Sequence, residues 1–212
     1  MSTSKGEQTR KRIFDTAARL FAEKGYGSTS IRDLAQDLGL QKSSLYHHFS
    51  SKEDILYKLV GEFMDEALVY VEDLGAQDMP PLEKLSAFIR YYTGFYAAEP
   101  HRLTVLVNDL EYLSPARQRA VVAKERRYIE AIEVILEELR QTGLMRDIPA
   151  PVAIFAFFGM VHYTPKWYRT KGRIGPQELG RLFEEVFCHG VLAQGEAKPA
   201  RPARRQASSQ KD

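Results

Sequence analysis

The sequence of 212 residues predicts an all-α protein. Apolar residues recur at spacings of three and four along most of its length, which is the pattern of helices with one buried face. Runs that alternate apolar and polar residues, as half-buried strands require, are nearly absent. Glycine and proline residues separate the periodic segments at positions that suit helix ends.

Two helices are predicted first, near the N-terminus. One covers residues 7–24 and stops before Gly25, because glycine readily adopts the left-handed conformation that ends many helices. The other covers residues 31–38, and Thr29 or Ser30 is expected to cap its N-terminus. Both carry a stripe of apolar residues, so we expect them to pack together.

A third, short helix follows in the segment SSLYHHF, residues 43–49, after a turn that contains Gly39. The fourth is long. Ser51 is its expected cap, and acidic residues in its first turn suit the helix dipole. We expect it to cover residues 51–74 and to connect the first three helices to the remainder of the chain.

The remainder predicts a helical bundle, residues 51–195, that includes this connecting helix. Its further helices are expected at 81–98, 101–112, 115–142, 150–164 and 176–193. Residues 196–212 contain five Lys or Arg against two acidic residues and no aromatic or large aliphatic residue. Such a segment cannot bury an apolar face, and we expect it to be disordered.

Composition favours a soluble cytoplasmic protein without a membrane segment. The single cysteine, Cys188, excludes an intramolecular disulfide and suits a reducing compartment. The N-terminus lacks the apolar stretch of a signal peptide, and the most apolar run, residues 152–161, is about half the length of a membrane span. Net charge is +2, but residues 1–58 hold ten Lys or Arg against seven acidic residues, which is weakly indicative of a polyanionic partner.

Residues 1–50 have the layout of a helix-turn-helix DNA-binding domain. A recognition helix enters a major groove about 12 Å wide, so its outer face needs hydrogen-bonding side chains. Leu45 and Phe49 are spaced to anchor the inner face of the third helix. The candidate DNA-binding residues are Thr29, Ser30, Gln41, Lys42, Ser43, Ser44, Tyr46, His47 and Lys52.

Two other interpretations of the histidine-containing segment are open. It suits a surface helix with solvated histidines as far as periodicity alone is concerned. A metal site is disfavoured, because His47 and His48 are adjacent and point about 100° apart on a helix. We therefore expect no metal and no cofactor.

The segment GYGSTSIRDLAQDLGLQKSSLYHHFSSKEDIL resembles the N-terminal signature of TetR-type transcriptional repressors. The resemblance implies a homodimer that places two recognition helices in successive major grooves of a palindromic operator. It also implies phosphate contacts by Tyr46, Lys52, Thr29 and His47. The residues best placed near base edges are Gln41, Lys42, Ser43 and Ser44.

Repressors of this type hold an effector in the C-terminal bundle, so we expect a small-molecule site there. Candidate ligand-binding residues are polar or aromatic groups among apolar ones, and each is also compatible with a purely structural role in the core. They are Tyr92, Phe95, Tyr96, Arg102, Asn108, Phe155, Phe158, His162, Trp167 and Arg169.

The segment HYTPKWYRTKGRIGPQELGRLFEEVF resembles the branch of this family that responds to acyl-CoA thioesters in fatty-acid, aromatic-acid or sterol breakdown. Trp167 offers a stacking surface for an adenine ring, while Arg169, Lys171 and Arg173 offer cations for phosphates. Thr170 departs from the proline common in that branch. An acyl-CoA is accordingly the expected effector.

Other functions remain as alternatives. Drug-like or flavonoid inducers compete with acyl-CoA as the effector, and a constitutive DNA-binding protein without a ligand competes with the sensing function. An enzyme is disfavoured, because the sequence holds no Glu-x-x-His pair, Gly-rich phosphate loop or paired nucleophile and base. The dimer interface is expected from the last two helices, where Gly159 and Gly190 allow close approach.

Overall fold

A computed structural model describes residues 5–189, with the backbone only at Lys5. Within that range the chain is helical and contains no strand, which confirms the all-α prediction. The helices are α1 Lys5–Lys24, α2 Ile31–Leu38, α3 Lys42–His48, α4 Lys52–Gly75, α5 Pro81–Ala98, α6 Pro100–Asn108, α7 Pro115–Gln141, α8 Ala150–His162, α9 Thr164–Trp167 and α10 Pro176–His189, with a 3-10 turn at Leu110–Tyr112.

Helix α2 is delimited at both ends by contacts between near neighbours in sequence. The Ser30 hydroxyl accepts a hydrogen bond from the Asp33 backbone N–H, and the Asp33 carboxylate accepts one from the Ser30 N–H, which forms a capping box. At the other end Gly39 has φ +65°, and the Leu40 N–H donates to the Ala35 carbonyl at 2.9 Å. This Schellman geometry stops α2 and turns the chain into α3.

Helix α4 runs through the centre of the molecule. Its predicted cap, Ser51, is confirmed, since the Ser51 hydroxyl accepts from the Asp54 N–H at 3.0 Å. Apolar side chains from Ile55 to Leu74 are buried along its length. It packs against α7, and Arg117 of α7 donates to the buried Asp54 carboxylate at 3.1 Å. The same helix therefore belongs to the core beneath α1–α3 and to the core of the bundle.

Aromatic side chains dominate the core of the bundle around α5. Phe88 and Tyr92 of α5 meet Phe157 of α8 with ring centroids 5.5 and 5.4 Å apart. Helix α10 lies along α5 so closely that a Cβ added to Gly180 would come within 2.7 Å of the Arg90 carbonyl oxygen. Only glycine fits that position without a shift of backbone.

Two predicted helices are shorter than expected. The helix predicted at 101–112 ends at Asn108, whose side-chain amide donates to the Thr104 carbonyl, and a 3-10 turn follows. The helix predicted at 150–164 ends at His162, and the short α9 follows. Pro165 lies in the first turn of α9, where its missing N–H costs least.

Several predictions fall outside the described residues. They are the last turn of the helix predicted at 176–193, the role of Gly190 in a dimer interface and the disorder predicted for 196–212. Within residues 5–189, no helix combines the length and apolar character needed to cross a bilayer.

Candidate nucleic-acid interface and ligand cavities

Helix α3 presents a polar face to solvent. Gln41, Lys42, Ser43 and His47 are exposed, and Tyr46 has 54% of its surface accessible. The inner side is apolar, since Leu45 is 1% and Phe49 3% exposed. An outward polar surface braced by buried apolar residues is the arrangement that a major-groove reader requires. Which of these side chains contact bases and which contact phosphates stays a prediction.

The side chain of Thr29 points into the protein. Its side chain is buried, and its hydroxyl donates to the carbonyls of Gly25 at 2.9 Å and Leu20 at 3.3 Å. The neighbouring Ser30, and not Thr29, caps α2. The Thr29 side chain therefore fastens the turn that precedes α2 to the end of α1, and a phosphate contact at this helix start stays a prediction.

Lys52 is also engaged within the protein. Its Nζ donates to the carbonyls of Tyr26 at 2.8 Å and Thr29 at 2.9 Å, and it lies 4.0 Å from the centre of the Tyr26 ring. Burial lowers the pKa of this ammonium group. Within the protein this cation joins the start of α4 to the turn before α2, and its contact with phosphate stays a prediction. Sequence resemblance identifies such a residue without revealing which way it points.

A small cavity of about 190 Å³ lies among α4, α5, α6, α7 and α8. Its wall is mainly apolar and aromatic, with a few polar groups. The residues that form it are Met64, Tyr92, Leu106, Val107, Leu110, Val121, Glu125, Tyr128, Phe158 and His162. Glu125 is exposed and lies at the rim, whereas Tyr92 and Tyr128 are buried.

The most tightly coupled polar pair in this wall is electrically neutral. The hydroxyl of Tyr92 and Nε2 of His162 share a hydrogen bond of 2.7 Å. Burial lowers the pKa of His162 to about 4, and burial raises the pKa of Tyr92 well above its ordinary value. At neutral pH the pair thus carries no charge, which suits a cavity for an uncharged group.

A larger and more open cavity of about 610 Å³ adjoins the first. The two share Val107 and His162 in their walls. Polar and basic groups are frequent in the larger one. Its wall consists of Ala22, Glu23, Pro100, His101, Thr104, Val107, Asn108, His162, Tyr163, Pro165, Lys166, Tyr168, Arg169 and Thr170.

Half of the predicted ligand-binding residues line these cavities. Tyr92 and Phe158 lie in the small cavity, Asn108 and Arg169 in the large one, and His162 in both. This placement is compatible with their predicted role but does not test it.

The other half lies elsewhere. Phe95 stacks on Phe63 with centroids 4.9 Å apart, and Tyr96 packs against the same ring. Arg102 lies 4.5 Å from the centre of that ring and pairs with Glu66. Phe155 and Trp167 are about half exposed and lie outside both walls.

The sequence analysis missed Tyr128, Glu125, His101 and Lys166. Tyr128 lies in α7, a helix with many charged residues on its solvent-exposed side. Its spacing of four and seven from the buried Ile132 and Ile135 was a usable signal for an inward position.

The cavities are connected to the DNA-binding half through a short path. Leu110 lines the small cavity, and Tyr112, at the end of the same 3-10 turn, packs its ring 4.9 Å from that of Tyr26. Tyr26 is the residue whose carbonyl and ring hold Lys52. A displacement of the cavity wall would therefore reach the turn that positions α2.

One face of α8 is apolar but exposed. Val152 is 58% and Phe155 56% exposed, and a Cβ added to Gly159 would meet nothing within 4 Å in the protomer. Val186 of α10 is also exposed. The sequence analysis expects a dimer interface from the last two helices, and within the protomer this side of α8 is open.

Two parts of the chain match known protein families. Residues 13–59 match the bacterial regulatory proteins of the tetR family, and residues 78–191 match the tetracyclin repressor-like C-terminal domain. The HTH-type transcriptional repressor KstR2 of Mycobacterium tuberculosis is 27% identical over 190 residues, which cover 88% of this chain and 94% of that protein.

Solved structures have the same architecture. The TetR family regulator PfmR from Thermus thermophilus is 30% identical with a TM-score of 0.77, over 86% of this chain and 100% of that one. AibR, in complex with isovaleryl coenzyme A and operator DNA, is 25% identical with a TM-score of 0.73, over 84% of this chain and 96% of that one. With these matches and an outward-facing helix-turn-helix, the chain belongs to the TetR family of bacterial regulatory proteins, and it is a DNA-binding transcriptional regulator rather than an enzyme.

Proposed function

We propose that the protein is a repressor that binds a palindromic operator as a homodimer and is released from it by an acyl-CoA thioester. The observation that carries the proposal is the pair of adjoining cavities with unlike walls. The small aromatic one suits an acyl group, and the larger polar one suits the pantetheine and nucleotide portion. In this proposal the thioester would lie beside Val107 and His162, which belong to both walls.

Charge in the larger cavity supports a polyanionic ligand portion. Arg169 and Lys166 line it, and Lys171 and Arg173 lie exposed in the loop that follows. Arginine binds phosphate through paired N–H donors, and a nearby exposed indole, Trp167, can stack on a base. AibR, a relative of similar fold, has isovaleryl coenzyme A as its ligand in the solved complex.

Release requires that the ligand favour a conformation with lower operator affinity. The shift from 1:99 to 99:1 needs about 5.5 kcal/mol of preference between the two states. The route by which this preference acts is the wall formed by α6 and the 3-10 turn, since Tyr112 contacts Tyr26 in the DNA-binding half. A ligand that moves Leu110 alters the support of α2 and thereby the position of α3.

The dimer is proposed to form through the exposed faces of α8 and α10. Val152, Phe155 and Val186 would be covered there, and Gly159 would permit the two copies of α8 to approach closely. To bind a palindromic operator, a two-fold dimer built in this way would have to present its two copies of α3 on one face. Their separation would have to match one turn of DNA, about 34 Å.

The experiment is a titration of the protein–operator complex with an acyl-CoA series, free CoA and the matching free acids. We expect release by a thioester and at least tenfold weaker effects of the acid and of CoA. The Arg169→Ala variant should bind operator normally but require about tenfold or more thioester, because a hydrogen-bonded charge pair contributes about 1.5–3 kcal/mol. Arg126→Ala, an exposed arginine on α7, is the matched control and should behave as the wild type.

Two outcomes would reject the effector assignment. Release by an apolar drug or flavonoid with no contribution from the CoA portion would favour the other inducer class. Operator binding that no small molecule alters would favour a constitutive regulator.

A further inference from the structure

The large cavity is bounded by both halves of the molecule. Ala22 and Glu23, near the end of α1, belong to the DNA-binding half, whereas the rest of the wall comes from residues 100–108 and 162–170 of the bundle. Helix α1 also packs directly against α6, which supplies part of that wall. A ligand in this cavity would therefore lie against the DNA-binding half itself, and not only against the bundle.

The charged side chains of this wall are divided between the two halves by sign. Within the described wall, the acidic residue is Glu23 of α1, and the lysine and arginine are Lys166 and Arg169 of the bundle. All three are exposed, and among residues 5–189 no ion pair joins Glu23 to either of these cations. Glu23 instead pairs with Arg19 at 3.1 Å, and Arg19 also pairs with Asp37 of α2 at 2.6 Å. These three groups together keep one net negative charge on the α1 side.

The end of α1 is fastened to the elements that carry the recognition helix. The Thr29 hydroxyl donates to backbone carbonyls at the end of α1, and Lys52 of α4 donates to the Thr29 carbonyl at 2.9 Å. The pair of Arg19 and Asp37 joins α1 to α2. A force on Glu23 would therefore act on the turn before α2 and on the start of α4.

An anion in this cavity would be attracted on one side and repelled on the other. The phosphate groups of a CoA thioester would bind Lys166 and Arg169, and they would face the like charge of Glu23. Movement of α1 away from the bundle relieves the repulsion but leaves the attraction to the bundle in place. An uncharged ligand of the same shape gains nothing from that movement.

We propose that Glu23 makes release from the operator respond to the negative charge of the effector, because its carboxylate opposes a polyanion while α1 lies against the bundle. The inference rests on the proposed acyl-CoA effector and deepens it by naming a residue that couples the ligand to the DNA-binding half. Glu23 is a coupling residue and not a binding residue. Without its charge the thioester still binds, but it distinguishes less between the operator-bound and the released conformation.

The test measures a coupling factor, which is the ratio of the thioester's dissociation constant for the operator complex to that for the free protein. Glu23→Gln removes the charge and keeps the size of the side chain. We expect it to lower the factor about two- to fivefold, as for one pair of unit charges across a solvated cavity, by tightening binding mainly to the operator complex.

Asp15→Asn is the matched control. Asp15 is an exposed acidic residue of the same helix, outside the cavity wall and eight residues from Glu23. That spacing is about 12 Å along the helix, which exceeds the Debye length at physiological salt. Asp15→Asn should therefore keep the wild-type factor.

An uncharged analogue separates the effect of charge from an effect on structure. The acyl-pantetheine thioester carries the same acyl group without the phosphates, and its coupling factor should be equal in the wild type and in Glu23→Gln. A factor for the CoA thioester that Glu23→Gln leaves unchanged would overturn the proposal. An equal fall for both thioesters would overturn it as well, since the substitution would then act on structure.

Failure of the acyl-CoA assignment can be told apart from failure of this inference. If no thioester releases the wild type from operator, the proposed effector is wrong whatever the variants do. Adenosine 3′,5′-bisphosphate is then titrated against the operator complex and the free protein. A two- to fivefold fall of its coupling factor in Glu23→Gln supports the role of Glu23, whereas no binding or an unchanged factor removes both proposals.

Discussion

The α2–α3 unit and the small cavity are formed by contacts of very different range. The cap, the first-turn carboxylate and the terminating glycine of α2 all lie between Ser30 and Gly39. The cavity takes its wall from five helices, with residues from Met64 to His162. Local signals therefore describe the first region well, whereas the second depends on which side chains meet across the bundle. Substitutions in the two regions test whether they also differ in their contributions to stability and function.

The largest expected effect is on the DNA-reading unit. Leu45→Ala removes the buried side chain that holds α3 against its support, and such truncations cost about 2–5 kcal/mol of unfolding free energy. Urea unfolding followed by circular dichroism measures this loss, and operator affinity should fall with it. Ser43→Ala, on the exposed side, is the control and should unfold like the wild type. Equal stability of the two variants would mean that α3 is not braced by its apolar side.

The pH dependence of the free energy of unfolding probes the small cavity. Burial lowers the pKa of His162 to about 4, so below the unfolded value of about 6.5 the unfolded chain takes up a proton that the folded chain does not. The contribution of neutral His162 to the free energy of unfolding should be fully present above pH ~6.5. It should decline as the pH falls and level off below about 4, for a total loss of about 3 kcal/mol. His162→Gln should remove that part of the slope. If His162→Gln keeps the wild-type dependence of unfolding free energy on pH, a group other than His162 titrates in this range.

Packing between α5 and α10 is the next comparison. Gly180→Ala would force a methyl group against the Arg90 carbonyl oxygen, and overpacking of this kind costs about 1–3 kcal/mol. Thermal unfolding reports the loss. Gly75→Ala is the matched control, since nothing lies within 4 Å of the added carbon and Gly75 belongs to α4, outside the proposed dimer faces of α8 and α10. If Gly159→Ala weakens dimerisation in sedimentation experiments, the exposed face of α8 is the contact between copies.

Sequence reasoning was accurate where structure is local and incomplete where it is not. The all-α class, the Ser51 cap and the outward polar face of α3 follow from periodicity and capping chemistry within a few residues. Thr29 and Lys52 were selected as phosphate contacts, and sequence did not reveal that their side chains bond backbone carbonyls of the protein, because a polar side chain at a helix start can bond inward or outward equally well. Tyr128 was missed, because its place in the cavity wall depends on packing between helices that are distant in sequence.

Lys52 and Lys42 separate the internal and external roles directly. Lys52→Met removes a cation that donates to two backbone carbonyls, and we expect a loss of about 1–3 kcal/mol in stability with little change in the salt dependence of DNA binding. Lys42→Met, an exposed site, should leave stability unchanged and reduce the slope of log affinity against log salt by about 1 if the ammonium lies near phosphate. The reverse pattern would restore the phosphate role of Lys52.

The smallest effect is expected from Tyr46→Phe. Tyr46 is 54% exposed on α3, so the loss of its hydroxyl should leave folding intact. If the hydroxyl donates to a phosphate, the affinity for operator and for unrelated duplex should fall by the same factor, worth about 0.5–1.5 kcal/mol. Fluorescence anisotropy with both duplexes at matched salt measures this. A loss confined to the operator would instead assign Tyr46 to a base edge, because a phosphate contact weakens binding to every duplex alike.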